Sequence, residues 1–145
     1  AARDATLGVY CRRWGVPLAG GGTIRLPRLI GHGRAMDLIL TGRGVLADEA
    51  KAMGLVDRVV EPGSALSAAS ELAHQLAALP QNSLRSDRRS AIDQWSLGSR
   101  EALARETELG LATVRSGETR EGAARFAKGE GRHGAAGEGR HGGAS

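Results

Sequence analysis

The chain has 145 residues, of which 41% are hydrophobic and 25% charged, so its composition provides for one domain with an apolar core. Only Tyr10, Trp14, Trp95 and Phe126 are aromatic, so that core has to be built from Leu, Ala, Val and Ile. The net charge is +4, no uncharged apolar run approaches the roughly 20 residues of a membrane helix, and a single cysteine excludes an internal disulfide.

From the N-terminus, Ala5 to Tyr10 alternates weakly and predicts one strand, and Arg12 to Pro17 reads as a turn. Gly20-Gly21-Gly22 is flexible backbone leading into a helix that starts at Thr23. Short helices follow over Ala35–Leu40, stopped by Gly42, and Ala47–Met53, stopped by Gly54. Leu55–Val60 predicts a second short strand, ended by Pro62. Beyond it the apolar spacing is helical over 64–79, 82–95 and 99–116, with Asn82 and Ser99 as candidate caps. The second of these helices is expected to turn Leu84, Ala91, Ile92 and Trp95 inward, and the third Leu103, Gly110, Leu111 and Val114. A last amphipathic piece covers Glu118–Lys128. Residues 129–145 repeat Gly-Glu-Gly-Arg-His-Gly and hold too little apolar surface to offset ordering, so a disordered tail is expected. This gives three segments: 1–62, 63–128 and 129–145. The fold is predominantly α.

Charge narrows the partners. Residues 1–34 carry six Arg against one Asp, and no basic run is interleaved with aromatics that stack on bases. A basic N-terminal third suits a phosphate-bearing small molecule at least as well as nucleic acid, which stays as an alternative. The glycines at 20–22 let backbone N–H groups approach a ligand, and the helix start behind them favours negative charge. The segment has neither the Lys-Ser/Thr ending of a Walker loop nor dinucleotide spacing. His133 and His141 lack the carboxylates or thiols that complete a metal site, so no metal is expected. Nor does a basic-then-apolar leader open the chain, and the lone Cys11 suits a reducing compartment, so a cytoplasmic protein is expected, with no membrane partner.

One ordered series is more specific. It runs Ala5-Thr6-Leu7-Gly8, Gly15, Gly21-Gly22-Thr23, Arg25-Leu26-Pro27-Arg28-Leu29-Ile30-Gly31, then Ala35, Leu38 and Leu40-Thr41-Gly42-Arg43. It continues with Ala47-Asp48-Glu49-Ala50, Gly54-Leu55-Val56-Asp57-Arg58-Val59-Val60, Leu79-Pro80, Ser116-Gly117-Glu118 and Glu121-Gly122 ahead of Phe126. The series resembles the second half of the crotonase family, the enoyl-CoA hydratase/isomerase superfamily.

The resemblance implies an α/β spiral of ββα units, here only its last turn, plus the helical C-terminal region that builds trimers. It implies an acyl-CoA thioester as ligand, no cofactor beyond the coenzyme A of the substrate, and a homo-oligomer of trimer type or a separate N-terminal half as partner. Tyr10, Cys11, Leu18 and Ala19 match the family's pocket wall on the acyl side, and the charge of Arg25 and the basic N-terminal zone is expected to attract the phosphates of such a ligand. Phe126 and Lys128 match the part of the last helix that approaches the CoA nucleotide. The family stabilises an enolate with two backbone N–H donors, both upstream of the segment matching Ala5. The hydratases use two glutamates, one also upstream and one in a Pro-Glu pair. Tyr10-Cys11 falls on that pair, so no catalytic residue carries over, and Cys11 reads as a small pocket-wall residue. A polypeptide of these residues alone is therefore expected to be inactive as a hydratase. Truncation and a non-catalytic assembly role are the alternatives.

Overall fold

The computed structural model describes residues 1–130, so all but the first two residues of the expected disordered tail, His133 and His141 included, lie outside the described residues. The elements run β1 (Thr6–Gly8), a 3-10 turn (Tyr10–Trp14), α1 (Gly22–Ile30), α2 (His32–Thr41), β2 (Gly44–Leu46) and α3 (Ala47–Ala52). After them come α4 (Ala65–Ala77), α5 (Gln81–Asp93), a 3-10 turn (Gln94–Ser96), α6 (Ser99–Arg115) and α7 (Glu118–Ala127). Ala1–His74 packs as one unit and the chain from Gln75 onward as another. The expected boundary at 62–63 falls on the Pro62–Gly63 turn ahead of α4.

The first unit is organised around α2. Ala35, Leu38 and Ile39 recur at helical spacing and are buried, and two glycines at positive φ, Gly31 and Gly42, stand at its two ends. Ile30, Val45, Ala50 and Met53 complete the core, with Leu7, Val9, Leu18, Leu26, Leu55 and Val56 packed at its edge. The strand expected near Ala5 is present but shorter. It pairs antiparallel with β2, in the register Thr6↔Leu46, Leu7↔Val45, Gly8↔Gly44. Three residues of β2 between two helices carry too short an alternation to be seen in sequence.

Leu55–Val60 is not a strand. The Leu55 and Val56 N–H groups donate back to Ala50 O at 2.8 and 3.3 Å, closing the end of α3, and the backbone turns through Gly54 at φ 83°. Only Val60 makes a β-bridge, parallel to Ala2. The β-branched run serves the edge of the core from a loop. At the other end of α3 no side chain caps the helix at Leu46. Asp48 and Glu49 occupy its first turn, where negative charge is favoured. Both also pair with arginines, Asp48 with Arg3 at 3.0 Å and Glu49 with Arg43 at 2.7 Å.

The second unit holds α5, α6 and α7. Its helices sit close to their expected ranges but their caps differ. Pro80, not Asn82, precedes α5, and Gly98, not Ser99, precedes α6, where the Gly98 N–H donates to the Glu101 carboxylate at 3.3 Å. The expected inward faces are not buried. Ile92 is 52% exposed, Leu103 63% and Val114 55%, and Thr113 is the one buried side chain described in this unit. Polar contacts do more here. Asp93 accepts from Arg89 at 2.8 Å and Arg105 at 3.1 Å, tying α5 to α6. Partial burial pushes the Asp93 carboxyl up, and the hydrogen bonds from Arg105 and Arg89 outweigh this and hold it below the usual carboxylate range. Among the described residues no helix is long and apolar enough to cross a membrane.

Two glycines separate backbone strain from helix propensity. Gly42 is buried at φ 63°, and a Cβ there would lie 3.3 Å from Val9 O. Gly110 lies inside α6 with open space around it. Gly42→Ala is expected to destabilise the chain by about 1–2 kcal/mol and Gly110→Ala to stabilise it by up to about 1 kcal/mol. Denaturant midpoints of the two variants check this: they should move in opposite directions.

Candidate functional site

The segment from β1 to the start of α1 carries five of the seven expected ligand-binding residues. β1 ends at Gly8, and the 3-10 turn carries Tyr10 and Cys11 next. The Tyr10 ring lies across the paired glycines of the two strands. A Cβ on Gly8 would meet the ring at 2.5 Å, and one on Gly44 would meet the Tyr10 hydroxyl at 2.6 Å. Any larger residue at either position would displace the ring. Arg13 stacks on the ring, its Cζ 4.9 Å from the centroid. Cys11 is half-buried with a free thiol, and its carbonyl accepts from the Val16 N–H at 3.1 Å. Trp14, at the end of the turn, is 81% exposed.

Arg12 and Arg13 point to the end of α2. Arg12 Nε donates to Ile39 O at 3.3 Å and Arg13 Nε to Gly42 O at 3.0 Å. Guanidinium groups there complement the negative end of the helix and pair carbonyls that have no intrahelical donor. Sequence adjacency draws attention to these arginines only as neighbours of Cys11. Their partners lie 27 and 29 residues away, and nothing in the local sequence signals the contact.

Past the turn, Leu18 packs on the core edge and against Gly22, where a Cβ would come within 3.1 Å of its Cδ2. Ala19 is exposed. Gly21 takes φ 85° to start α1, and its carbonyl accepts the Ile24 and Arg25 N–H groups at 3.2 and 3.0 Å. Arg25 folds back over this turn, with Nη2 donating to Gly20 O at 2.6 Å. The glycine turn thus holds its own arginine.

Phe126 and Lys128 belong to the second unit, Phe126 within α7 and 58% exposed, Lys128 at the end of that helix. Lys128 lines an open cleft of about 470 Å³ with Ala78, Leu79, Pro80, Glu121 and Arg125. Glu118, in the first turn of α7, acts on the start of α5. Its two carboxylate oxygens accept the Asn82 and Ser83 N–H groups at 3.0 and 2.7 Å, capping α5 from another helix. Ser116 Oγ accepts from the Asn82 side chain at 3.4 Å, so the α6–α7 corner closes on the same point. Among the described residues no group of three or more His, Cys, Asp or Glu side chains is arranged to hold a metal ion.

The family model described as enoyl-CoA hydratase/isomerase matches residues 1–133. The chain belongs to the enoyl-CoA hydratase/isomerase family. The match includes the helical segment as well as the N-terminal one. An enoyl-CoA hydratase of Mycobacterium tuberculosis, EchA19, is 35% identical over 128 residues, which is 88% of this chain and 48% of that protein. The crystal structure of an enoyl-CoA hydratase from Mycobacterium tuberculosis H37Rv superposes with TM-score 0.83 at 33% identity, covering 88% of this chain and 51% of that one. An enoyl-CoA hydratase from Bacillus anthracis gives TM-score 0.83 at 32% identity, with 89% and 50% covered. The chain therefore spans about half the length of these relatives. Its fold is crotonase-like.

Within this member of the family, Glu118 joins α7 to α5, and its loss should be felt locally. Glu118→Ala is expected to cost about 1 kcal/mol of stability. Hydrogen exchange should show faster exchange at the Asn82 and Ser83 amides, with the α2 amides unchanged.

Proposed function

We propose that the chain binds an acyl-CoA thioester, as part of a protein with hydratase- or isomerase-class chemistry. Tyr10, Cys11, Leu18 and Ala19 stand in the wall on the acyl side, Arg25 and the basic N-terminal zone lie toward the phosphates, and Phe126 and Lys128 toward the nucleotide. The observation that carries this reading is the continuous segment Tyr10–Arg25. It links an aromatic ring, a half-buried thiol, an apolar Leu18 and a glycine turn with a guanidinium folded over it, inside the span that the family model matches.

In this reading the residues correspond to the second half of the family fold, and coenzyme A comes only as part of the substrate. Position 11 bears on the reaction. A thiol donates a weak hydrogen bond and cannot replace a carboxylate that orients and deprotonates water. The 145 residues alone are then inactive in hydration. The protein that carries them is expected to bind crotonyl-CoA at equilibrium, while the 145-residue polypeptide leaves its double bond intact, followed by the loss of enoyl absorbance. Hydration by the isolated polypeptide would overturn the inactivity. Absence of CoA-ester binding, with short RNA bound instead and a steep salt slope, would overturn the ligand class.

A second reading is favoured by a separate observation. Leu103, Leu111 and Val114 on α6 are 63%, 47% and 55% exposed. Apolar side chains at helical spacing without cover suit an assembly piece, either in a homo-oligomer of trimer type or with a first half on another chain. Sedimentation of the polypeptide over a concentration series is expected to show self-association. A single monomeric species at all concentrations would count against the homo-oligomer.

A further inference from the structure

The turn that bears Tyr10 and Cys11 has little to hold it in place by itself. It is five residues of 3-10 helix without a buried side chain and without a side-chain cap, and its internal Arg12 N–H to Val9 O bond is long, at 3.4 Å. Such turns have poorer hydrogen-bond geometry than an α-helix. What fixes this one comes from its two arginines. Arg12 reaches Ile39 O and Arg13 reaches Gly42 O, one turn apart at the end of α2. Between them Gly42 is buried close beneath the turn. A Cβ there would contact Val9 O at 3.3 Å, Arg12 Cβ at 3.4 Å and Arg13 Cγ at 3.5 Å. Arg13 also holds the Tyr10 ring by stacking, and that ring crosses the Gly8–Gly44 pair.

We propose that Arg12 and Arg13 are positioning residues that latch the Tyr10–Trp14 turn onto the C-terminal end of α2 and so set where Tyr10 and Cys11 stand for an acyl thioester. The role rests on the acyl-pocket reading above, but the latch itself is measurable without ligand. α2 places three residues, Ala35, Leu38 and Ile39, in the core, against two from α3 and one from α1, so its end is the better anchored partner. The turn is the weaker partner and takes its position from the helix. Each arginine supplies a cationic donor aimed at a carbonyl at the negative end of α2, and Arg13 places its cation over the Tyr10 ring.

Cys11 is the one cysteine of the chain, so iodoacetamide reports on this turn alone. Removing positive charge near a thiol slows its alkylation, whereas loosening the turn speeds it. The two effects have opposite signs. In the double variant Arg12→Gln/Arg13→Gln, alkylation of Cys11 is expected to be faster by on the order of tenfold. Arg13→Lys, which keeps a cation for the ring and a donor for Gly42 O, should stay close to the original rate. Should the double variant fail to fold, Arg13→Gln alone carries the test. Unchanged or slower alkylation in the glutamine variants overturns the latch. So does equal acceleration in Arg13→Lys, which would mean that any change at this position loosens the fold.

The ligand arm uses crotonyl-CoA with the protein that carries these residues. Protection of Cys11 by crotonyl-CoA, weakened in the glutamine variants and retained in Arg13→Lys, supports the positioning role. Equal protection in all of them overturns it. If crotonyl-CoA leaves Cys11 unprotected in the unsubstituted protein, the acyl-pocket reading fails, and the role of the latch in binding fails with it. Alkylation rates without ligand then show separately whether the latch exists.

Discussion

The carbonyl end of α2 is the constraint to which the first unit answers. α2 buries Ala35, Leu38 and Ile39 in the core and ends beside it, and its last carbonyls have no intrahelical donors. Gly42 turns the chain at φ 63° and returns its N–H to Leu38 O at 3.0 Å. Arg12 and Arg13 supply the donors for Ile39 O and Gly42 O. The reversal at Gly42 sends the chain at once into β2, which pairs with β1. β1 in turn delivers the turn whose arginines return to the helix. The circuit closes in space although its parts are about 30 residues apart, and each part has a residue type that only the circuit explains. Gly8 and Gly44 leave room for one ring, Gly42 for one turn.

The two units rest on different physics. In the first, eight apolar residues are buried, and the small ones, Ala35, Ala47 and Ala50, let backbones approach closely. The second has no buried apolar side chain among the described residues, and charge-assisted contacts carry more of the pairing. Glu118 caps α5, and Asp93 is shared by Arg89 and Arg105. The Arg105 and Asp93 side chains are 30% and 21% exposed, so this pair is screened less than the pairs of Arg3, where Asp48 and Glu61 are 69% and 74% exposed. Hydrogen bonds of this kind fix orientation well but add little of the area-dependent stabilisation that burial provides. A helical unit held in this way has well-defined corners and uncovered faces. That combination suits a surface that meets another surface.

Much of this was legible from local signals. Helices α1 to α7 follow from apolar spacing and from the glycines and prolines between them, because those signals act within a few residues. The errors share one cause. Leu55–Val60 has strand composition, but its N–H groups at 55 and 56 close a helix end, and a hydrophobic run does not tell which partner its backbone will find. Asn82 has the side chain of a cap, yet its backbone is capped by Glu118 from 36 residues away. β2 was invisible because three residues cannot display a period. At the site, the ordered motif series located Tyr10, Cys11, Leu18 and Arg25 on one segment, whereas the contacts that hold Tyr10 and the turn come from Gly44 and from the end of α2. Sequence motifs report what a segment carries; long-range contacts decide how it is held.

Position 11 shows how those two levels combine. A carboxylate there would accept hydrogen bonds and need solvation or a donor, and a thiol needs neither. The neighbouring guanidinium groups, which in sequence look like the natural donors for a charge at 11, have their Nε–H groups on Ile39 O and Gly42 O. A thiol at position 11 is therefore compatible with the latch: the arginines serve the helix end, and the thiol leaves them free to do so. A Glu at this position would place a new acceptor beside donors already committed to carbonyls that have no intrahelical alternative. Either the carboxylate would go without them, at a desolvation cost in a half-buried place, or it would draw an arginine from α2 and release the turn. The turn and the residue it carries are thus one chemical unit, and exchange of the side chain at 11 alone does not convert this surface into an acid–base site.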